Sequence, residues 1–390
     1  MKTTISACLV LFAVAACGDS GGDDCAPGKV CVWAGVGEPG FNNLKPDADR
    51  LESKFYFPED ITFGADGKGY IVDWNNHRIR EAGLDGKVTT IVGTDYEGDG
   101  PPGEEDRLPQ CSPPGAQGTL VAMNHPTDVE FGPDGRLYIA AWHNNKIRVW
   151  DPTTHNLTSL AGDSYGFSGD NGPACKAVFN QPKSIVFDET GMLYTIDQRN
   201  LRIRTIASDG TIATFAGSGV QGNLGDGGLA LDAQFGWDKG TTPQPTGSLV
   251  MHGRDLIVAD TLNNRIRRIN LDTHAIDCIA GGSATAGYSG DGGAAIDAKL
   301  NYPNDLEIGP DGRLYIADQE NHVIRAMDLD TGVITTVVGT GEACDLADGE
   351  CPVGDPLTTR LNEPYGLGFD PTGNMYVADT HNHRILEVMK

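Results

Sequence analysis

The sequence predicts an all-β fold in which six four-stranded antiparallel sheets form a ring, that is, a six-bladed β-propeller. The first observation is the octet DWNNHRIR at 73, which returns five times in altered form. The copies begin at residues 73, 141, 197, 260, 318 and 379. The second observation is that every copy lies between the same pairs of apolar runs. A supersecondary unit repeated at a nearly fixed period indicates a closed or stacked repeat architecture.

Each repeat predicts one four-stranded meander. Before the octet, ITFGADGKGYIVD at 61 gives two apolar runs around a Gly/Asp turn, which is typical of a β-hairpin. After it, IREAGL at 79 and KVTTIVG at 87 give two more strands around a second turn. A lone meander cannot bury both of its faces, and no segment with helical periodicity covers them, so we expect the six sheets to pack against one another.

The two ends of the chain are expected to close the ring. The last repeat stops at HRILEVMK, which supplies its third strand but no fourth. KVCVWAGVGEPG at 29 aligns with KVTTIVGTDYEG at 87, the fourth strand of the first repeat. The N-terminal segment is therefore predicted to be the outer strand of the last blade, where it would cover an exposed sheet edge. The propeller domain is predicted over residues 29–390.

The N-terminus is typical of an exported lipoprotein. Residues 1–16 contain a lysine followed by a short apolar run, which is typical of a secretory signal peptide. VAAC at 14–17 resembles a bacterial lipobox, so Cys17 is predicted to be lipidated, and residues 17–28 are predicted to be a tether. We therefore expect a monomer anchored by lipid to the membrane, on the periplasmic or surface side of a bacterial cell envelope.

Composition limits the partners. The chain has 29 basic and 54 acidic residues, a formal net charge of −25. Such a surface repels the phosphate backbone of nucleic acids, so nucleic acid is not expected as a partner.

Cysteine usage agrees with export. Without Cys8 and Cys17 seven cysteines remain, and this odd number requires at least one free thiol. Cys344 and Cys351 lie within one loop and are the first disulfide candidate in an oxidising compartment. The second candidate is the pair Cys111 and Cys175, which fall in successive loops of the repeat. Cys278 lies on a predicted strand and is expected to be a buried thiol.

Three octets contain the motif for which NHL repeats are named. They read Asn76-His77-x-Ile79, Asn321-His322-x-Ile324 and Asn382-His383-x-Ile385. The chain resembles that family over residues 29–390, and its Gly-Asp-Gly loops, such as YSGDGGAAIDAKLNYP at 288, are similar to it too. The departures are an alanine at 141 in place of Asp, an irregular fourth repeat, and a leucine at 386 where the other repeats have Arg.

The recurring octet positions are predicted to be structural. The five aspartates are expected to accept backbone N–H groups of their own turns, as residues of this type usually do. The arginines that follow are expected to form ion pairs between blades. The aspartates are Asp73, Asp197, Asp260, Asp318 and Asp379, and the arginines are Arg80, Arg148, Arg204, Arg267 and Arg325.

Positions that differ between repeats are the candidates for a site. The octets and the long connections between blades must lie on the same face. There Trp74 and Trp142 could form an exposed pair of indoles, or each could pack under a neighbouring loop. His143 and His381 are further ligand-binding candidates on that face.

Nearer the axis, Asp60, Asp128 and Asp305 begin the first strands, with Glu130 and Glu307 two residues further on in their strands. These acids could cap the strand entries or collar a cation such as Ca²⁺ or Zn²⁺. His77, His322 and His383 also invite a zinc interpretation, but equivalent turns on neighbouring blades converge poorly. No cofactor and no metal site is predicted.

The sequence contains no lipase-type nucleophile elbow, in which Gly-x-Ser-x-Gly joins a strand to a helix, and no phosphate-loop or His-Glu-x-x-His motif. We therefore expect a non-enzymatic binding or scaffold module for a protein or an envelope glycan, with no catalytic residue assigned. The resemblance leaves open a metal-dependent lyase or lactonase at the axial end, because a related amidating lyase propeller carries a metal. A structural spacer is the third interpretation.

Overall fold

The computed structural model describes residues 25–41, 48–99, 115–162 and 164–390. Within these ranges the chain forms six antiparallel sheets, and the only helices are short 3-10 turns. The innermost strand of each sheet contacts the innermost strand of the next, and that of the sixth sheet contacts that of the first. The predicted all-β, six-bladed propeller is confirmed.

The strands are numbered in chain order, and the strands of each blade are given in that order, with β1 last in blade 6. Blade 1 contains β2 (Ala48–Asp49), β3 (Pro58–Phe63), β4 (Gly69–Asp73), β5 (Arg78–Ala82) and β6 (Lys87–Val92). Blade 2 contains β7 (Ala116–Gln117), β8 (Pro126–Phe131), β9 (Leu137–Ala141), β10 (Lys146–Trp150) and β11 (Asn156–Ala161). Blade 3 contains β12 (Gly172–Pro173), β13 (Pro182–Phe187), β14 (Leu193–Asp197), β15 (Arg202–Ile206) and β16 (Thr211–Ala216).

The remaining three blades follow the same order. Blade 4 contains β17 (Gly228–Leu229), β18 (Leu249–His252), β19 (Asp255–Asp260), β20 (Arg265–Asn270) and β21 (Ala275–Ala280). Blade 5 contains β22 (Pro303–Ile308), β23 (Leu314–Asp318), β24 (Val323–Met327) and β25 (Ile334–Val338). Blade 6 contains β26 (Leu367–Phe369), β27 (Met375–Asp379), β28 (Arg384–Val388) and the N-terminal strand β1 (Val30–Ala34).

The short helices are all 3-10 turns of three residues. They span Trp74–Asn76, Gly118–Leu120, Ala174–Lys176, Gln198–Asn200, Ala230–Asp232, Thr261–Asn263, Ala295–Asp297, Gln319–Asn321, Pro356–Thr358 and Thr380–Asn382.

Ring closure by the N-terminal strand occurs as the sequence predicts. Strand β1 pairs antiparallel with β28, with Val30 opposite Val388 and Cys31 opposite Glu387. Blades 1 to 4 depart from four strands, because a two-residue strand from the connection before each blade pairs with its outer strand. The core consists of six apolar clusters, each formed between two adjacent blades. Burial between blades, rather than within them, thus holds the ring together.

The octet aspartates are structural, but their partners differ from those expected. Asp73 accepts the backbone N–H of Tyr56, at 2.9 Å, in the connection that precedes the blade rather than in the octet turn. The Asn76 side chain donates both to Asp73 and to the Gly40 carbonyl, at 2.9 and 2.7 Å. The same pair of contacts recurs at Asp197 with Asn200 and at Asp260 with Asn263. The octet therefore ties each blade to its incoming loop.

The expectation of ion pairs between blades is wrong. Arg80 lies 3.2 Å from Asp73 of its own blade, and Arg204 lies at the same distance from Asp197. The reason is that the hairpin register places each arginine on the face of the sheet that carries the aspartate of the same octet. In blades 3, 4 and 5 the arginine also reaches the aspartate of the glycine-rich loop, as in the pair of Arg325 and Asp291. Blade 2 has Ala141 in place of the octet aspartate, and there Arg148 pairs with Asp99.

Two disulfides lie within the described residues. Cys344 and Cys351 are bridged, as predicted, and Cys25 and Cys31 form a second bridge that was not predicted. Cys175 is disulfide-bonded, while its candidate partner Cys111 lies outside the described residues. Cys278 is a free thiol, partly rather than fully buried. Burial raises the pKa of this thiol to about 11, which keeps it protonated and unreactive.

The signal segment and Cys17 lie outside the described residues. Among the helices within the described ranges, none has the length and apolar character needed to cross a bilayer.

Candidate functional site

The face that carries the octets, called here the octet face, is organised by a strained residue that precedes the inner strand in five of the six blades. These five non-glycine residues, each followed by a proline, adopt a left-handed conformation, with φ from 47 to 61°. They are Phe57, His125, Gln181, Tyr302 and Glu363. This conformation is uncommon for such residues and persists only where the surroundings fix it.

The surroundings that fix these residues are the octets of the preceding blades. The fifth octet residue, itself left-handed, accepts the backbone N–H of the strained residue of the next blade. The pairs are His383 with Phe57 at 3.2 Å, His77 with His125 at 3.1 Å, Asn145 with Gln181 at 2.9 Å, Asn264 with Tyr302 at 3.0 Å and His322 with Glu363 at 3.2 Å. Blade 3 has Leu201 at this position, and there Gln198 accepts the N–H of Thr246 instead.

These contacts account for the motif histidines. Each Nδ1 is an acceptor, which requires an unprotonated nitrogen. Burial lowers the pKa of His77 and His322, and that of His383 to about 4, in keeping with this role. The three rings serve three separate blade junctions, and within the described parts of the chain no three His, Cys, Asp or Glu side chains converge as metal ligands would.

Seven aromatic rings form a continuous series across blades 6, 1 and 2, called here the aromatic arc. Its members are Tyr365, His381, Phe57, Trp74, His125, His143 and Trp142. Successive centroids lie 6.3, 4.9, 6.4, 4.4, 4.7 and 4.1 Å apart. Phe57, Trp74, His125, His143 and His381 are half-buried and present part of their surface to solvent. The arc combines apolar surface with polar ring atoms, the mixture found where proteins bind sugars or peptides.

Of the two alternatives for Trp74 and Trp142, the exposed pair of indoles is not formed. Trp142 is 1% exposed, because its ring stacks under His143 and its Nε1 donates to Gln198 of blade 3 at 3.0 Å. Trp74 remains half-exposed, and its buried Nε1 has no hydrogen-bond partner within the described residues. Of the two indoles, only Trp74 therefore offers ring surface to a ligand.

His125 was missed by sequence reasoning. It belongs to the connection between blades, where no repeat draws attention to it, although its place before Pro126 matches that of the other strained residues. Its Nδ1 lies 2.9 Å from Nδ1 of His143, and its ring contacts that of His77. Burial, together with its two histidine neighbours, lowers the pKa of His125 to about 3. The cluster is therefore neutral at pH 7.

One end of the arc carries acidic groups. His381 lies 3.5 Å from the carboxylate of Glu363, which also accepts a hydrogen bond from Gln319 at 3.1 Å. A ligand that occupies the arc therefore meets hydrogen-bond acceptors at the blade 6 end and imidazole groups at the blade 2 end.

The axial aspartates clamp neighbouring inner strands together. Asp60 accepts the backbone N–H of Val129 in blade 2, and Asp305 accepts that of Leu367 in blade 6. The complete series is Asp60 to Val129 at 3.1 Å, Asp128 to Ile185 at 2.6 Å, Ser184 to Leu249 at 3.1 Å, Ser248 to Leu306 at 3.3 Å and Asp305 to Leu367 at 2.8 Å. Gly366 takes the sixth position. The aspartates thus cap the next blade's strand rather than their own.

Below these clamps the axis contains a cavity of 360 Å³ that extends toward the face opposite the octets. Glu130 and Glu307 line it together with the aspartates. Burial raises the pKa of Glu130 to about 8 and raises that of Asp305 to about 6. The cavity is therefore a second concave site, distinct in chemistry from the aromatic arc.

Comparison with known families finds matches to parts of the chain. Residues 254–328 match the teneurin NHL domain, and residues 361–387 match the NHL repeat. The first segment extends across blades 4 and 5, and the second lies in blade 6.

Curated relatives are similar over longer stretches. NHL repeat-containing protein 2 of Bos taurus is 27% identical over 363 residues, which cover 90% of this chain and 41% of that protein. Protein SUPPRESSOR OF QUENCHING 1, chloroplastic, of Arabidopsis thaliana is 27% identical over 283 residues, 68% of this chain and 25% of that protein. The chain thus spans less than half the length of these relatives.

Solved structures share the fold. An auxiliary nutrient binding protein from Bacteroides ovatus superimposes with a TM-score of 0.62 at 14% identity, over 92% of this chain and 76% of that one. A protein of unknown function from Bacteroides thetaiotaomicron gives a TM-score of 0.63 at 18% identity, over 92% and 75%. The chain is therefore a six-bladed propeller with an NHL repeat in its last blade and a segment similar to the teneurin NHL domain across blades 4 and 5.

Proposed function

We propose that this chain is a non-enzymatic binding module of a bacterial cell envelope, which engages a glycan or a protein segment through the aromatic arc. The observation that carries the proposal is the contrast between repeated and unrepeated residues on the octet face. The repeated Asp, Asn and His side chains are engaged in hydrogen bonds that hold the ring together. The half-exposed Phe57, Trp74 and His143 occupy positions that vary between the repeats, and they present part of their surface to solvent.

The shape and chemistry of the arc support a glycan or an apolar peptide. A sugar ring or an apolar side chain packs on an aromatic face, and the polar ring atoms beside it give direction to the contact. The fold neighbour named as an auxiliary nutrient binding protein also supports a binding role.

The envelope location rests on the N-terminal sequence. A cleaved signal over residues 1–16 and lipidation of Cys17 would leave residues 17–28 as a tether and the propeller as a monomer held near the membrane. Labelling of the expressed chain with a radioactive fatty acid, compared with Cys17→Ser, tests the anchor. Equal labelling of the two chains would contradict it.

The binding role is tested by capture from cell envelopes. The purified chain is immobilised and exposed separately to a deproteinised glycan fraction and to a glycan-free protein fraction. We expect retention from one fraction, with at least a tenfold loss for Trp74→Ala or His143→Ala. Tyr165→Ala is the matched control, because this aromatic ring is 75% exposed in a loop of blade 3 and lies outside the arc.

If the Trp74 and His143 variants are retained as strongly as the unaltered chain, the binding surface lies outside the aromatic arc. No retention from either fraction would favour the spacer interpretation.

A metal-dependent lyase or lactonase at the axis is the alternative, motivated by the buried carboxyl groups of Asp60 and Asp128. Elemental analysis of chain dialysed without chelator separates the two functions. A stoichiometric metal that is lost in the Asp60→Asn and Asp128→Asn variants would replace the binding proposal with a catalytic one.

A further inference from the structure

The axial cavity brings acidic side chains from opposite blades together. Glu307 of blade 5 interacts electrostatically with Glu130 of blade 2, and Asp60 of blade 1 interacts with Asp305 of blade 5. Blades 2 and 5 face each other in a six-membered ring, so Glu130 and Glu307 come from opposite sides of the axis. The carboxyl groups lie at two levels. Glu130 follows Asp128 by two residues in the same strand, which places the two levels about 7 Å apart along the axis.

The carboxyl groups of the two levels, called here the acidic column, belong to Asp60, Asp128, Asp305, Glu130 and Glu307. Far fewer cations than carboxyl groups lie near them. Lys183 is the one basic residue whose charge acts on Glu59, Asp60, Asp128 and Asp305. Its Nζ donates only to the Thr127 carbonyl among its resolved hydrogen bonds, at 3.4 Å.

The lower level has no protein partner among the described residues. In the described residues, Glu130 and Glu307 have neither a hydrogen bond nor an ion pair. Above the column Glu59 is only 3% exposed, interacts with Asp128, and has an Oε2 atom without a partner. Glu130 and Glu307 are half-buried, whereas Glu59 is a buried carboxyl group with an unpartnered oxygen, which is costly and points to a ligand that supplies what the protein does not.

The mouth of the cavity is apolar. The cavity is lined by Phe63, Phe187, Met251 and Phe369, which lie at or next to the last residue of their inner strands and are half-exposed on the face opposite the octets. A ligand that enters the cavity from this face first contacts apolar side chains and then reaches the two levels of carboxyl groups. Within the described ranges no three carboxylates converge on one point as ligands of a metal ion would. The arrangement suits donors distributed along an extended molecule better than a single ion.

We propose that the axial cavity binds a linear aliphatic diamine or polyamine, with one ammonium group at the level of Asp60, Asp128 and Asp305, another at the level of Glu130 and Glu307, and the methylene chain between them. A short methylene chain bridges the spacing of the two levels. Ammonium groups donate hydrogen bonds to carboxylates and supply the missing charge. The site uses a different face from the aromatic arc and does not depend on the function proposed for the arc.

Binding should release protons. Burial raises the pKa of Glu130 to about 8 and raises that of Glu307, so part of the lower level is protonated at pH 7.5. A bound ammonium group favours the ionised carboxylates and so drives the protons into solution.

The test is isothermal titration of the purified chain with 1,4-diaminobutane at pH 7.5 in two buffers that differ in ionisation enthalpy. We expect saturable binding of one molecule per chain, with a heat that differs between the buffers. 1-Aminobutane, which has a single ammonium group, should bind at least tenfold more weakly. No saturable binding, or equal affinity for the two amines, would overturn the proposal.

The double variant Glu130→Gln with Glu307→Gln should lose at least tenfold in affinity for the diamine. Glu320→Gln is the matched control, because Glu320 is exposed on the octet face and should not change the affinity. If the double variant binds as tightly as wild type, attraction to the net negative surface explains the binding and the site is wrong. A thermal shift of wild-type chain by the diamine, larger than that by 1-aminobutane, is expected and needs no variant.

A metal ion is separated from the amine by the same titration with CaCl₂. Tighter binding of Ca²⁺, with displacement of the diamine, would replace the proposed ligand with a divalent cation.

Discussion

Nδ1 of His77 in blade 1 accepts the backbone N–H of His125 in blade 2 at 3.1 Å. The contact joins a motif residue, which repeats, to an arc residue, which does not. His383 and His322 make the same contact to Phe57 and Glu363. The histidine of the motif thus fixes the backbone of the residue that presents the binding surface of the next blade. The same Nδ1 atom therefore stabilises the fold and positions the site.

The histidine clamps predict a loss of stability in acid. Burial lowers the pKa of His77 and His322, and that of His383 to about 4, whereas the unfolded value is about 6.5. The unfolded chain therefore binds more protons between these values. The stability that the clamps contribute is complete above about pH 6.5 and falls as the pH decreases toward 4. Urea unfolding at pH 7.5, 6 and 5 measures it.

The control for this prediction is supplied by the chain itself. Asn145 and Asn264 perform the same task without a titrating group, and asparagine tolerates the left-handed conformation. Replacement of the three histidines by asparagine should therefore keep the stability at pH 7.5 within about 1 kcal/mol per clamp and reduce the loss in acid. An equal acid dependence in the triple variant and wild type would show that other groups cause it.

The axial clamps predict an order of substitutions at Asp128. Its carboxyl accepts the N–H of Ile185, and the serine hydroxyls at 184 and 248 do the same at other junctions. We expect Asp128→Ser to be more stable than Asp128→Ala by about 1 kcal/mol, because alanine leaves a buried N–H without an acceptor. Both variants remove the same charge, so the difference in free energy of unfolding in urea isolates the hydrogen bond. Equal stability of the two would refute the clamp.

The sixth axial position predicts that Gly366 is required for close approach of two strands. A Cβ atom there would lie 2.2 Å from the carbonyl oxygen of Glu59 in blade 1. Gly366→Ala should therefore destabilise the chain by about 1–3 kcal/mol, the usual cost of overpacking. Gly349→Ala is the matched control, since no atom lies within 4 Å of its added Cβ. Equal melting temperatures of the two variants would contradict this account.

Ring closure predicts that the N-terminal strand stabilises the whole domain. Val30 and Ala34 are fully buried and Trp33 nearly so, and the strand pairs with β28. Deletion of residues 29–35 should lower the melting temperature of the entire propeller, because blade 6 loses its outer strand and the cluster between blades 6 and 1 loses Trp33. Calorimetry checks this, with deletion of residues 18–24 as the control. An unchanged transition in the shorter chain would exclude closure by β1.

Most of the fold could be predicted from the repeats, because their spacing and hydrophobic alternation are properties of the sequence that do not depend on long-range contacts. The alignment of residue 29 with residue 87 was enough to place β1. The contacts across blades were not predictable in the same way. Asp73 bonds Tyr56 and Arg80 stays within its blade because of the twist and register of the sheets, which single-sequence patterns do not fix.

The candidate site was less accessible to sequence reasoning than the fold. Trp142 is buried because Gln198, 56 residues away, accepts its N–H. His125 joins the arc because a connection outside the repeat places it there. In both cases the decisive neighbour comes from a different blade, and no local pattern identifies it.

The buried glutamate of the axis predicts a loss of stability in base. Burial raises the pKa of Glu130 to about 8, against about 4.5 when the chain is unfolded. The folded state therefore binds more protons between these values, and the contribution of Glu130 to stability falls as the pH increases from 4.5 to 8.

Glu130→Gln removes the titrating group and keeps a similar shape. The variant should match wild type at pH 4.5 and exceed it at pH 8.5 by more than about 1 kcal/mol, because one pKa unit corresponds to about 1.4 kcal/mol. Urea unfolding at the two pH values measures the difference.

Glu342→Gln serves as the control, because the Glu342 side chain is 77% exposed and should change stability equally at both pH values. A gain at pH 8.5 that also appears at pH 4.5 would mean that amide packing, and not the buried charge, is responsible, and the axial carboxyl groups would then be compensated within the protein itself.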